Sequence, residues 1–522
     1  MAISFGTKHY VEKETFALKV TDFEHEGIFG RYYFDTSNEV GHEPSSSQRE
    51  EKTKEASSEK SHNVDHHLSI RTNYAQCRDP LSNEMQQWLG IGLHSIYDGK
   101  AAIKKYGRPA VRLVVVLDVS GSMDLTLEGG EGVGTQSKIV VAKQSLLSML
   151  KNLKDNDWLS IITFDEHAHL IHPLTQWKHT NAESLKQQIA SIKAEGGTDL
   201  SVAFRAAGAV LREELKKNQT TETPTHAENR ILFFTDMQPT RGELSEGGLF
   251  ALASGCSEEH IYTTFVGVGQ DFGTDLTQHI TTNLRGGQYM TIQNAHEFEE
   301  LMTENFDYSV FPIAFDLVCE IGDGCAFEIE HVYGTREPSG STLMSVKTLF
   351  PSHVNEDGIT KGCMILLKLK PNKNALSKGD KTTDVLKLKW SYESAISGKS
   401  YSETTVATFG EHDSEKEYFQ TTGVHKAIVL TKYVNLCRAL VSKYTFDFSL
   451  GIPDSVKTDK QKIVNPNHKT NTGEKLQSPL EAAETFSDHY KNMSDILRDA
   501  SMKEELVVLD KIISHLKKKQ KN

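Results

Sequence analysis

Between Pro109 and about Tyr308, short apolar runs alternate with segments of helical period. That order implies a doubly wound, mainly parallel sheet, an α/β fold. Strands buried on both faces read as continuous apolar runs, and each parallel crossover takes a helix. The expected strands are Val111–Leu117, Trp158–Phe164, Ile231–Thr235, Ile261–Val268 and Gln288–Ile292. Ser137–Leu153 reads as a helix because Ile139, Ala142, Leu146, Leu147 and Leu150 follow its period. Ala182–Lys193, Leu200–Leu215 and Asp275–Asn283 read the same way, and His169–Pro173 reads as an antiparallel edge strand.

Past this region the pattern changes. Ile313–Ile321, Ala326–Tyr333, Thr342–Leu349, Cys363–Leu369, Val385–Trp390 and Ser400–Ala407 are short alternating strands separated by Gly, Pro, Asn and Ser. They imply an antiparallel sandwich or barrel. Leu68–Tyr74 fits the same sheet, and so does Trp88–Ile96, although that segment also fits a helix. The α/β unit is therefore expected to be inserted in a β-sandwich. The expected organisation starts with an N-terminal strand segment or docking peptide (1–35), a disordered linker (36–67) and the first part of the sandwich (68–108). The α/β domain (109–308) and the second part of the sandwich (309–420) follow. A helix (421–452), a linker (453–478) and a C-terminal helical segment (479–522) end the chain. The linker at 36–67 is rich in Ser, Glu and Lys and has too little apolar surface to offset ordering entropy. His62, His66 and His67 at its end read as solvated tail rather than metal ligands.

Lys plus Arg is 58 and Asp plus Glu is 71, a net charge of −13. That balance argues against nucleic acid as a partner, since phosphate binding needs a net basic surface. The run Lys517-Lys518-Lys519-Gln520-Lys521 reads as a solvated helix end. No stretch reaches the length of a membrane span; the longest, Val111 to Val119, is broken by Arg112 and Asp118. The first residues lack the apolar core of a signal peptide. Six scattered cysteines form no C-x-x-C pair. Together these features lead to the expectation of a cytoplasmic protein with free thiols.

Asp118-Val-Ser120-Gly-Ser122 closes the first strand of the α/β region. The D-x-S-x-S pattern alone is weak. Its place at the C-terminal end of a buried strand, before an amphipathic helix, strengthens it, because ligands of open α/β sheets bind there. Gly121 is expected to let the backbone turn so that three oxygens converge. Thr198, presented by the turn Gly196-Gly197, and Asp236, ending the strand Leu232–Thr235, supply matching oxygens at the same edge. An all-oxygen set selects a hard cation over zinc or copper. Few protein ligands and several retained waters suit Mg²⁺ better than Ca²⁺, with Mn²⁺ a further alternative.

Leu117-Asp-Val-Ser-Gly-Ser-Met123, Gly196-Gly-Thr198 and Phe234-Thr-Asp236 resemble the von Willebrand factor type A (VWA) family, Rossmann-like in fold, and its metal-ion-dependent adhesion site. Asn156–Phe164, Thr264–Gly269 and Gly286–Tyr289 extend the likeness over about 200 residues. The resemblance implies that Ser120 and Ser122 bind the ion directly, Thr198 directly or through water, and Asp118 and Asp236 chiefly through water. It also implies that a partner's acidic side chain completes the coordination. The layout is similar to bacterial VWA proteins, to inter-alpha-trypsin inhibitor heavy chains and to plant RING-type VWA proteins. The chain lacks the signal peptide of the second group and the Cys/His array of the third. The loop Asp124–Thr135 looks longer and more acidic than usual for the family.

Catalytic readings find little support. Gly129–Thr135 lacks the Lys-Ser/Thr that must follow a phosphate loop. No serine sits in a nucleophile-elbow frame, and the His-Glu pairs lack a second zinc ligand. The expected function is that of a non-catalytic binding or scaffold protein docking an Asp or Glu of a protein partner. An accessory subunit of an AAA+ ATPase or ubiquitin ligase, and a purely structural metal site, remain as alternatives.

Overall fold

The computed structural model describes residues 17–37, 67–126, 136–219, 227–236, 240–268, 283–292, 302–303, 305–322, 327–335, 341–371, 384–408, 413, 415–444, 446–447 and 478–521. All but the last residue of the expected helix at Asp275–Asn283, most of both linkers and most of the loop Asp124–Thr135 lie outside these residues.

The N-terminal segment carries β1 (Ala17–Leu18), a helical turn (His25–Phe29) and β2 (Tyr33–Phe34). Ile28 and Phe29 thus end a helix, where the sequence suggested a strand or a docking peptide. Phe23, Ile28, Phe29 and Phe34 are buried in a core shared with the helix Thr422–Lys443. Next come β3 (Leu68–Arg78) and β4 (Met85–Ser95), an antiparallel hairpin in register from Leu68 opposite Ser95 to Arg78 opposite Met85. Trp88–Ile96 is therefore mainly strand. Its near-continuous apolar run arises because β4 is covered on both faces: Trp88 enters the helical core, and Leu89, Ile91 and Leu93 enter the core between two sheets. His67, read as solvated tail, is buried. Its Nε2 lies 2.7 Å from the Ile313 carbonyl, and its ring packs edge-on to Tyr97 and Tyr392.

The α/β unit holds β5 (Ala110–Asp118), β6 (Trp158–Phe164), β7 (Ala168–Gln176), β8 (Ala227–Thr235), β9 (Ile261–Val268) and β10 (Gln288–Ile292). They form one sheet in the order β10-β9-β8-β5-β6-β7, parallel except for the β7 edge. Every residue of the central β5 is buried. Its alternate side chains feed two cores, Leu113, Val115 and Leu117 on one face and Val114 and Val116 on the other. Helices Lys138–Met149 and Ala182–Ser191 cover the first face; Leu200–Gln219 and Glu246–Glu258 cover the second. The last helix escapes sequence reading because Gly247, Gly248 and Gly255 break its pattern.

The chain then returns through β11 (Ala314–Ile321), β12 (Phe327–Tyr333), β13 (Thr342–Leu349), β14 (Thr360–Lys361), β15 (Met364–Pro371), β16 (Asp384–Ser394), β17 (Ser400–Thr408) and β18 (Tyr418–Phe419). One sheet runs β13-β11-β16-β17; the other runs β12-β15-β4-β3-β18, and β14 pairs with β2. Leu317, Leu388 and Trp390 of the first sheet share a core with Ile91, Ile365 and Leu367 of the second. On its far face the second sheet carries Thr422–Lys443, Pro479–Leu497 and Lys503–Lys521. Among the described residues no helix is long and apolar enough to cross a membrane.

Three histidines sit in or against this helical layer and the strands beneath it. Burial holds His25, His94 and His425 down to about 4, with hydrogen bonding from Asn435 partly opposing this at His25. A histidine depressed from 6.5 contributes stability above pH 6.5 and loses it as pH falls toward 4, by about 2 kcal/mol after allowing for partial exposure. Asp98, pushed up to about 6 by burial, titrates in the opposite sense, so single-site differences are the informative readout. Urea unfolding of His425→Gln should show a shallower loss of stability than wild type between pH 7 and 4.5. Parallel curves would contradict this.

Candidate metal centre

Three loops converge at the C-terminal edge of the parallel sheet. The first follows β5 and forms a 3-10 turn over Gly121–Asp124. The second, Glu195–Asp199, precedes the helix Leu200–Gln219, and the third follows β8. Backbone hydrogen bonds lock them together. Gly121 N–H donates to the Gly196 carbonyl at 3.0 Å, and Glu195 N–H donates to Val119 O at 2.6 Å. Thr240 and Arg241 N–H groups donate to Thr198 O at 3.0 and 3.1 Å. Asp199 then caps the helix, its Oδ1 accepting from the Ser201 and Val202 N–H groups at 2.9 and 3.2 Å.

The glycine that the turn requires is Gly196. Its φ is +89°, and a Cβ there would meet the Asp165 side chain at 3.0 Å. Gly121, singled out from sequence, is less constrained: a Cβ would meet only Gly196 O at 3.6 Å.

Asp118, Ser120, Thr198 and Asp236 are all buried, and Ser122 is half-buried. Both oxygens of Asp118 are engaged. Oδ1 accepts from Ser120 N–H at 2.9 Å and Oδ2 from the Thr235 hydroxyl at 2.7 Å. Burial nevertheless pushes its carboxyl up to about 6, with the Asp236 charge adding to the shift and the Ser120 and Thr235 hydrogen bonds opposing it. Ser120 Oγ and Ser122 Oγ lie 3.1 Å apart. Neighbouring oxygens of an octahedral Mg²⁺ lie about 2.9 Å apart when each is about 2.05 Å from the ion, so the two hydroxyls suit one such ion. Asp236 Oδ1 is buried with no hydrogen-bond partner among the described residues. Such an atom is costly to leave unsatisfied, and a cation with its water shell would satisfy it.

The Lys138 ammonium donates to Asp236 Oδ2 at 3.0 Å, and both side chains are almost wholly buried. This lysine was not recognised in the sequence as part of the site. It opens the helix after β5, and only the fold brings it to the end of β8. Thr235 and Thr240 were missed as well; they orient Asp118 and the Thr198 loop. Among the described residues no group of three or more His, Cys, Asp or Glu is placed to hold a metal. The converging set has two carboxylates and three hydroxyls, a different donor chemistry. Those residues fit a hard divalent cation.

A mainly parallel α/β sheet with this oxygen-lined edge defines the class. Residues 113–238 match the family model of the von Willebrand factor type A domain, so the chain carries a domain of that family. The rat voltage-dependent calcium channel subunit alpha-2/delta-3 is 32% identical over 106 residues, covering 19% of this chain and 9% of that protein. The chain thus spans under a tenth of the length of these channel subunits. An uncharacterized protein of Synechocystis is 25% identical over 179 residues, covering 34% of this chain and 37% of its own. Among solved structures, a von Willebrand factor type A protein from Catenulispora acidiphila gives a TM-score of 0.41 at 14% identity. That match covers 72% of this chain and 80% of the other. The VWA2 paralog of ArnB from Sulfolobus acidocaldarius gives 0.35 at 12%, covering 86% and 98%.

Proposed function

We propose that the chain is a non-catalytic, cytoplasmic binding or scaffold protein whose VWA domain holds Mg²⁺ and docks an Asp or Glu of a protein partner. The observation that carries this reading is the state of the carboxylates. Both Asp118 oxygens are taken by protein donors, and one Asp236 oxygen is held by Lys138. Ser120 and Ser122 are left as neutral direct ligands, with Thr198 binding directly or through water. A bound Mg²⁺ would supply Lewis acidity that is only partly neutralised by the protein, which favours an external carboxylate. The protein's part is to hold the hydroxyls together and keep the aspartates behind them, with Ser122 the least buried of the five. Cys77, Cys256, Cys319, Cys363 and Cys437 are buried free thiols, which supports a reducing compartment.

Calorimetric titration should show one Mg²⁺ site that is lost in Asp236→Ala and in Ser120→Ala. Partner capture from native lysate should depend on Mg²⁺ and fail with EDTA or with either variant. Identical recovery under all these conditions would exclude docking through the ion. Mg²⁺ binding with unchanged capture would assign the metal a structural role.

A further inference from the structure

We propose a second ligand site, at the opposite end of the VWA sheet from the metal centre, that binds a small phosphomonoester with an aromatic or apolar body. A cleft of about 470 Å³ lies there. It is bounded by the helix Lys100–Tyr106, through which the chain enters the VWA unit, and by Thr303 and Phe306–Tyr308, through which it leaves. The third wall is the Asn152–Lys154 turn before β6. This volume falls in the range of small-molecule pockets.

Three lysines line the cleft, Lys100, Lys104 and Lys154. Lys104 and Lys154 form no ion pair among the described residues. The one acid in the lining, Asp307, has its Oδ1 held by Arg108 Nε at 2.5 Å, a guanidinium that it shares with Asp157, so three lysines face one partly answered carboxylate. Partial burial, and after it the Arg108 guanidinium, hold Lys154 below the usual lysine range, with Asp307 and Asp157 opposing the shift. A protein of net charge −13 that gathers three lysines around a concave space, Lys104 and Lys154 without an ion pair among the described residues, has a local preference for an anion.

The rest of the lining specifies more than charge. Thr303 adds a hydroxyl, while Ile103, Phe306 and Tyr308 give the cleft an apolar wall. A phosphate dianion offers three oxygens to three ammonium groups, and the wall suits the body that carries it. The cleft touches both chain crossings between the VWA unit and the β-sandwich. A ligand there would brace that junction without touching the metal residues, so this site stands independently of the adhesion reading.

The test is calorimetric titration of the full chain with phenyl phosphate, and with inorganic phosphate for comparison. Saturable one-to-one binding is expected, tighter for phenyl phosphate and weakened by salt. Loss of a charge-assisted contact costs about tenfold per lysine, so Lys104→Gln/Lys154→Gln should bind about 100-fold more weakly. Both lysines are exposed, and an unchanged melting curve would show that the double variant folds. Lys186→Gln, on a distant exposed helix face, should bind as wild type. Absence of saturable binding, or equal binding by wild type and the double variant, would overturn the proposal.

Discussion

Replacing Arg108 by alanine should destabilise the VWA unit by about 3–5 kcal/mol, the cost of leaving a buried charge without its partner. Arg108 grips both oxygens of Asp157, at 2.8 and 2.6 Å, with Arg and Asp side chains 1% and 0% exposed. Asp157 also accepts from the Val111 and Lys154 N–H groups, fixing the starts of β5 and β6. The guanidinium further reaches Asp307 and the Pro109 and Asn152 carbonyls. One side chain thus fastens the two crossings between the domains to the base of the sheet. Lysine should rescue little, because it cannot reproduce the forked contact. Asp307→Asn should cost much less, since Asp307 is 33% exposed. Chemical denaturation of the three variants checks the ranking. A loss below about 1 kcal/mol for Arg108→Ala would show that the network is not a structural anchor.

Lys138→Met should tighten Mg²⁺ binding by about 10- to 100-fold. The ammonium is buried against Asp236 Oδ2, so it both opposes a nearby dication and occupies an oxygen that the dication's water shell could use. Removing one positive charge within several ångströms is worth about 1–3 kcal/mol when solvent screening is moderate. Without metal the change works the other way. Asp236 would then be buried with neither oxygen bonded, and the metal-free protein should lose about 1–3 kcal/mol. The melting temperature of Lys138→Met should therefore respond more strongly to Mg²⁺ than that of wild type. Weaker Mg²⁺ binding in the variant would mean that Lys138 positions Asp236 rather than competing with the ion.

Much of the VWA architecture is local information. The apolar runs that became β5, β6 and β9 are continuous because both faces of the sheet are covered, and their ends fall within a residue or so of the expected ones. The candidate metal residues were equally visible, since they lie at strand ends or after a glycine turn. Segments covered on two faces by different layers were harder to read. Trp88–Ile96 left helix and strand both open because one of its faces meets helices and the other a sheet. His67 looked like the end of a polar tail until the Ile313 carbonyl and two tyrosines enclosed it.

The sequence by itself determined the alternation of strands and helices and the oxygen-bearing residues proposed for a hard cation, because these follow from period, spacing and residue type. Only the tertiary structure decided that Lys138 meets Asp236, that Thr235 holds Asp118, and that Arg108 binds Asp157 and Asp307 together. Those pairs lie 98, 117, 49 and 199 residues apart in the chain. No local pattern encodes them; they exist because burial in a shared low-dielectric interior makes each charge or hydroxyl seek a partner that the fold alone can deliver.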